Sequence, residues 1–250
     1  LGIRYTVIPI AQATDAFEYQ LKQVEPSIQP IWGEPSANSF ARDNVQAMSR
    51  ATWLRLLGNE YRAFPVATSD KSEFYMGYTT VNGDMSGALA PLGDVPKTKV
   101  RLLARWLNAH RAKPNAIPEQ VITKPSGAEL AIDPKTGKTL TAEDALMPYE
   151  FADEVIWRIE TLKQSKTQML TEVFQWEKSH ELSAEKKREW LDRFFSRMAM
   201  SVFKWWLSPP AIIVEGNGSI TKTDYRHPIT ANRMCWDTQS LDAMRLQLNP

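Results

Sequence analysis

Apolar positions along the chain alternate between two periods. Residues 5–10, Tyr-Thr-Val-Ile-Pro-Ile, form a β-branched and aromatic run that predicts a buried strand ending near Pro9. Thr14 predicts the cap of a short helix over 14–24, and prolines 26, 30 and 35 predict a loop over 25–36. Ser39 predicts the cap of a helix over 39–57, with Val45, Met48, Thr52 and Leu56 on one stripe and Gly58 as a left-handed stop. Residues 63–68 predict a second short strand, and 71–78 a helical turn.

Beyond that point the pattern is mainly helical. Residues 83–93 are rich in glycine and small side chains and predict a loop near a ligand or a tight turn. Val100, Leu103, Ala104 and Leu107 predict an amphipathic helix over 97–112. Pro125, Pro134 and two glycines predict a loop over 124–141. Residues 148–180 predict a helix including Met169, Leu170, Val173 and Phe174. Ser183 predicts the cap of another, with Leu191, Phe194, Phe195, Met198 and Val202 as its stripe and Pro209-Pro210 as its stop. A last turn is predicted over 240–248.

Strands alternating with helices early and helices alone late predict an α/β sheet domain with a helical C-terminal addition. Two strands are too few to complete a doubly wound sheet. The chain also starts on a predicted core strand with no initiator methionine and no leader pattern, so it is expected to continue upstream.

Composition narrows the classes. Of 250 residues, 43% are hydrophobic and 24% charged, with nine tryptophans and nine phenylalanines available for a sizeable core. Thirty basic residues against 29 acidic ones leave a net charge of +1, which offers no electrostatic case for nucleic acid or an anionic membrane. No apolar run approaches the roughly 18 to 20 residues that span a bilayer. The sole cysteine, Cys235, excludes an internal disulfide and a Cys-rich zinc site, and His110, His180 and His227 are scattered. A cytoplasmic protein is the expectation.

Five stretches carry candidate chemistry. Ala67-Thr68-Ser69-Asp70-Lys71-Ser72-Glu73 is a strand end leading into a helix. Outward N–H groups would make an anion site there, with Glu73 facing the crevice for a divalent cation. The alternative, which the pattern alone favours, is a plain capped helix with Glu73 in solvent. In Asn82-Gly83-Asp84-Met85-Ser86-Gly87, small residues let backbone approach a ligand. Lys97 stands at a helix start, where a cation opposes the dipole, so a phosphate is the expected compensation; a solvated lysine is the alternative. Asp43-Asn44-Val45 places an acid and an amide on a helix's first turns. Ser126 lies in a turn where its hydroxyl suits a phosphate. Phe203-Lys204-Trp205-Trp206 ends the late helix with a cation that the dipole favours by itself.

Order and spacing add what no single stretch supplies. Thr68-Ser69-Asp70-Lys71-Ser72-Glu73 resembles the NAD synthetase motif "TGNKSE", and Gly77-Tyr78-Thr79-Thr80 through Gly83-Asp84-Met85-Ser86-Gly87 resembles "GYxTxYGDMxG". Asp94-Val95-Pro96-Lys97-Thr98 is similar to "DVPKT". Pro125-Ser126-Gly127-Ala128-Glu129-Leu130 is similar to "PSAEL" with a glycine inserted. Asp43-Asn44-Val45-Gln46-Ala47 resembles "ENIQAR", Pro148-Tyr149 "LPPY", and Ser201-Val202-Phe203-Lys204 "NEFK". The tail resembles that of the long, glutamine-dependent members.

The resemblance implies an ATP-pyrophosphatase-type fold (adenine nucleotide alpha hydrolase-like): part of a doubly wound parallel sheet with a helical C-terminal extension. On this division residues 1–160 are the nucleotide-binding domain, without its "SGGxDS" phosphate loop, and 161–250 the extension of the same domain. The implied reaction uses ATP and Mg2+ to activate the carboxylate of nicotinic acid adenine dinucleotide. Pyrophosphate leaves an adenylated intermediate, and ammonia, from glutamine through an upstream glutaminase domain or subunit, gives NAD. By position, Thr68, Lys97 and Ser126 would hold ATP. Asn44, Glu73, Tyr78, Thr79, Thr80, Val81 and Lys204 would hold the dinucleotide, Glu73 also the metal, and Asp84 would sit beside the reacting nicotinate, making Asp84 and Lys97 the catalytic pair. A homo-oligomer is implied. The alternatives are an inactive synthetase-like structural or regulatory partner and another ATP-pyrophosphatase amidating enzyme. The 250-residue chain alone is expected to lack synthetase turnover; NAD formed by it from ATP, ammonia and the acid dinucleotide would overturn this.

Overall fold

The 5–10 run is extended but forms no strand in the computed structural model, which describes residues 3, 5–24, 40–110, 115–124, 127–132, 139–141, 146–172 and 183–215. Tyr5 is 85% and Val7 71% exposed, and no described segment pairs with them. The expectation of a buried strand therefore fails. β propensity measures the fit of a side chain to a pleated, half-covered surface, and among the described residues no such surface covers this run. Ser39, Ser126, Cys235, His180 and His227, the loop over 25–36 and the turn over 240–248 lie outside the described residues.

Helix α1 spans Ala11–Val24 and begins three residues before the expected cap. Thr14 instead turns its hydroxyl back onto the Ala11 carbonyl at 2.7 Å, the usual use of a threonine in a first turn. Helix α2, Phe40–Glu60, runs past Gly58. Its stop is Arg62, at φ +50°, so a non-glycine residue takes the left-handed position.

Strands β1 (Gly127–Ile132) and β2 (Thr139–Thr141) form an antiparallel hairpin where a loop was expected. Pro134 and Gly137, read as loop residues, lie outside the described residues. Parallel pairing exists as two single bridges, Val66 with Leu89 and Ala90 with Ala211. Ala67 N donates to Leu89 O at 2.9 Å and Ala90 N to Pro210 O at 2.8 Å. Pro65, Pro91, Pro209 and Pro210 flank these bridges and lack the N–H needed to extend a ladder. Gly87 lies where an added Cβ would sit 2.3 Å from Ala67 N, so these segments meet backbone to backbone.

Helix α3, Lys71–Met76, has only six residues. Helices α4 (Lys97–His110) and α5 (Glu119–Thr123) follow it; α4 is helical as predicted, but none of its residues is fully buried and Leu103 of the predicted stripe is 43% exposed. The single helix expected over 148–180 is two, α6 (Tyr149–Glu160) and α7 (Lys166–Glu172). Lys163 at φ +53° ends the first, and a reciprocal Ser165–Gln168 capping box opens the second. Helix α8, Ala184–Trp205, starts at the predicted Ser183 cap, and its stripe Leu191, Phe194, Phe195, Met198 and Val202 is buried. No described helix is long and apolar enough to cross a membrane.

The core lies where α8 meets α3 and α6. Tyr75 stacks on Phe194 at 6.3 Å and meets Trp205 edge-on at 5.4 Å. A six-residue helix leaves most of its carbonyls without intrahelical partners, and α8 supplies the donors. Trp205 Nε1 donates to Phe74 O at 2.8 Å and Arg197 Nε to Met76 O at 3.2 Å. Lys204 Nζ donates to Gly77 O at 2.8 Å and Thr79 O at 2.6 Å.

Gly77 closes α3 at φ +62°, and an added Cβ would lie 1.7 Å from Ser201 Oγ. Gly77→Ala should therefore cost ~2 kcal/mol or more in urea unfolding, from backbone strain and the clash together. Adding Ser201→Gly should recover part of that loss; no recovery would show that the α3–α8 contact is not its source.

Candidate functional site

Segment 65–67 ends where α3 begins, and the chain between them sets the site. Asp70 caps α3: its carboxylate accepts from Glu73 N at 3.0 Å, while the Glu73 carboxylate accepts from Asp70 N at 3.1 Å. Lys71 N donates to Val95 O at 3.1 Å. The capping box thus takes the Asp70 and Glu73 N–H groups, and Val95 O takes that of Lys71, so these three do not point outward as an anion site.

Lys97 is the centre of charge. Its Nζ lies 2.5 Å from Asp70 Oδ2 and 2.7 Å from Glu73 Oε1, over the Tyr149 ring at 5.5 Å. Two protein carboxylates compensate this lysine at a helix start. Two carboxylates share one ammonium, so the fully ionised cluster is net negative.

Asp84 joins two loops. Its Oδ2 accepts from Ser69 Oγ at 2.9 Å and its Oδ1 from Thr80 N at 2.6 Å. Thr80 Oγ1 in turn donates to Asn44 Oδ1 at 3.1 Å. Thr79 is buried, and its hydroxyl has no hydrogen-bond partner among the described residues. Val81 packs against the core beside Tyr78, and Thr68 is exposed. Lys204 reaches the carbonyls of Gly77 and Thr79. Glu73, Asp84 and Lys97 are therefore neighbours through Ser69 and Asp70, while Ser126 lies outside the described residues.

Beneath them are groups that sequence reasoning passed over. Lys71 is fully buried and paired with Asp94 and Glu160, each at 2.7 Å, and Tyr75 donates to Glu160 at 2.8 Å. Asp94 Oδ2 also accepts from Val214 N and Glu215 N, at 2.7 and 2.8 Å. Asp153 accepts from Ser72 Oγ, from Thr98 N at 2.9 Å and from Thr98 Oγ1 at 2.7 Å. One signal could have found Lys71: a cation in a helix's first turn, the same anomaly that marked Lys97. Its acids, distant in sequence, carry none.

Burial shapes the ionisation. Burial and the Glu73 carboxylate push Asp70 up to about 7, against the pull of Lys97. Burial also raises Asp153 and Glu160 above the usual carboxylate range. Burial works against the charged forms of Lys97 and Lys71, but their carboxylate partners win and hold both above the ordinary lysine value. Lys204 is lowered by burial and by Arg197. No group of three or more His, Cys, Asp or Glu residues is placed to hold a metal ion among the described residues.

Three comparisons bear on this arrangement. The family model described as NAD synthase matches residues 1–192. A glutamine-dependent NAD(+) synthetase of Synechocystis sp. is 33% identical over 175 residues, covering 70% of this chain and 28% of the relative. That of Aquifex aeolicus is 39% identical over 156 residues, covering 62% and 24%. The chain thus spans about a quarter of the length of these relatives. In three dimensions it is similar to the crystal structure of a glutamine-dependent NAD(+) synthetase from Cytophaga hutchinsonii. The TM-score is 0.75 at 20% identity, over 97% of this chain and 36% of that one, a likeness of fold.

The Asp70 shift has a sign that can be checked. A carboxyl raised from 3.8 to about 7 favours folding in its protonated form. That contribution is complete below about pH 4 and is lost as pH rises through about 7. Asp70→Asn should flatten this fall in unfolding free energy, measured by urea titration across the range; parallel curves for the two proteins would refute it.

Proposed function

The chain belongs to the NAD synthase family, and from that premise we propose that it forms the nucleotide- and dinucleotide-handling part of a synthetase that amidates nicotinic acid adenine dinucleotide to NAD. ATP activates the nicotinate carboxylate, pyrophosphate leaves, and ammonia displaces AMP from the adenylated intermediate. The observation that carries this reading is the placement of Lys97 Nζ between Asp70 and Glu73, one loop away from Asp84. An ammonium already held at the head of a helix needs little reorganisation to meet phosphate oxygens, which would replace the carboxylates around it.

The remaining roles follow from position. Asp84, fixed by Ser69 and Thr80, would face the nicotinate as ammonia attacks. Asn44, Tyr78, Thr79, Thr80 and Val81 would line the dinucleotide, with the Thr79 hydroxyl available to it. Lys204 would close on the dinucleotide from α8, and Thr68 and Ser126 would meet ATP. A divalent cation fits if it arrives on phosphate: Glu73 offers one protein carboxylate, and phosphate oxygens and water would complete the shell. Magnesium held there would neutralise charge on the departing pyrophosphate.

The relatives' names mention glutamine, so ammonia from a glutaminase domain or subunit is part of the proposal, as are a cytoplasmic location and a homo-oligomer. The test is NAD formation by the full-length protein from ATP, Mg2+ and the acid dinucleotide, with glutamine or ammonium as nitrogen donor. Lys97→Met should lower kcat by ~100-fold or more, the scale of removing one preorganised charge at a reacting centre. A protein making no NAD from either donor would be the inactive partner instead.

A further inference from the structure

Asp153 is 7% exposed and holds a carboxylate in the core, and no cation pairs with it among the described residues. Burying such a group is expensive, and packing alone would be served better by an apolar side chain. Its three donors all come from the heads of two helices. Thr98 N and Thr98 Oγ1 donate to Oδ2, and Ser72 Oγ donates to Oδ1. Ser72 Oγ in turn accepts from Lys97 N at 2.8 Å. The first two N–H groups of α4 are therefore anchored, one directly and one through Ser72, to a single side chain of α6.

The same helix also addresses the other end of Lys97. Tyr149 stands one turn before Asp153 on α6, and its ring lies under the Lys97 ammonium at 5.5 Å. Lysine has a flexible four-carbon stem, and the dipole of α4 repels its charge. Where that ammonium rests thus depends on where its backbone is held.

We propose that Asp153 is the positioning residue for Lys97: by clamping the start of α4 onto the start of α3, it places the Lys97 ammonium between Asp70 and Glu73. The catalytic consequence rests on the reading of Lys97 as the phosphate-facing cation, but the placement itself is measurable without turnover.

Amine acetylation of the folded chain, read lysine by lysine by mass spectrometry, tests it. Fully buried Lys71 reports global unfolding, and Lys99, 58% exposed, reports reagent activity. In Asp153→Ala the Lys97 labelling rate should rise about fivefold or more, the factor expected when roughly 1 kcal/mol of local restraint is lost, while Lys71 stays protected. Asp153→Asn keeps acceptors for Thr98 and should show a smaller rise. Unchanged Lys97 labelling, or a rise matched by Lys71, overturns the proposal. Should Asp153→Ala not fold, Ser72→Ala and Asp153→Asn decide it: a selective Lys97 rise in either supports the clamp, and none in both overturns it. Protection of Lys97 by MgATP in the unaltered chain is a separate arm. Its absence would count against the nucleotide reading and leave the clamp standing.

Discussion

A six-residue helix cannot stand by itself: nucleation fixes several dihedrals for one hydrogen bond, and α3 has scarcely more than a turn to recover that loss. It persists because both ends are held by other parts of the chain. At its C-terminus, α8 brings Trp205 and Arg197 to the Phe74 and Met76 carbonyls and Lys204 to those of Gly77 and Thr79 just beyond the helix. At its N-terminus, the Asp70–Glu73 box closes locally, and Lys71 drops into a pocket of two acids. The candidate site is built on this short element, so its geometry depends on long-range contacts rather than on helix propensity.

The Lys71 network shows how such a scaffold is tied together. Asp94 comes from the loop before α4 and binds the backbone of 214–215, while Glu160 ends α6. Removing one member of a buried charge group leaves the rest uncompensated, typically at about 3–5 kcal/mol. A network of this kind resists partial opening. It ties the start of α3 to the loop before α4, to the end of α6 and to residues 214–215.

The two lysines near the head of a helix illustrate different uses of one anomaly. Lys71, fully covered, is structural: its charge is spent on Asp94 and Glu160. Lys97 keeps 16% of its side chain accessible and sits between Asp70 and Glu73. Sequence position alone treats them alike. Access to solvent separates them, and access is a property of what packs above each residue.

Local rules carried much of the reading. The α8 stripe was legible because a 3.6-residue period states which face is buried wherever the partner lies, and the Ser183 cap needs only its own next three residues. The motif order placed Glu73, Asp84 and Lys97 together through family resemblance, and the structure brings them together. What required the tertiary structure was every feature whose partner is remote. Residues 5–10 have strand chemistry but no described segment to pair with, and prolines cut the parallel pairing to single bridges. Asp153 and Glu160 look in sequence like ordinary polar positions of α6. Their partners Ser72 and Lys71 lie 81 and 89 residues away, and only the packing of α6 under α3 turns two solvated acids into buried anchors.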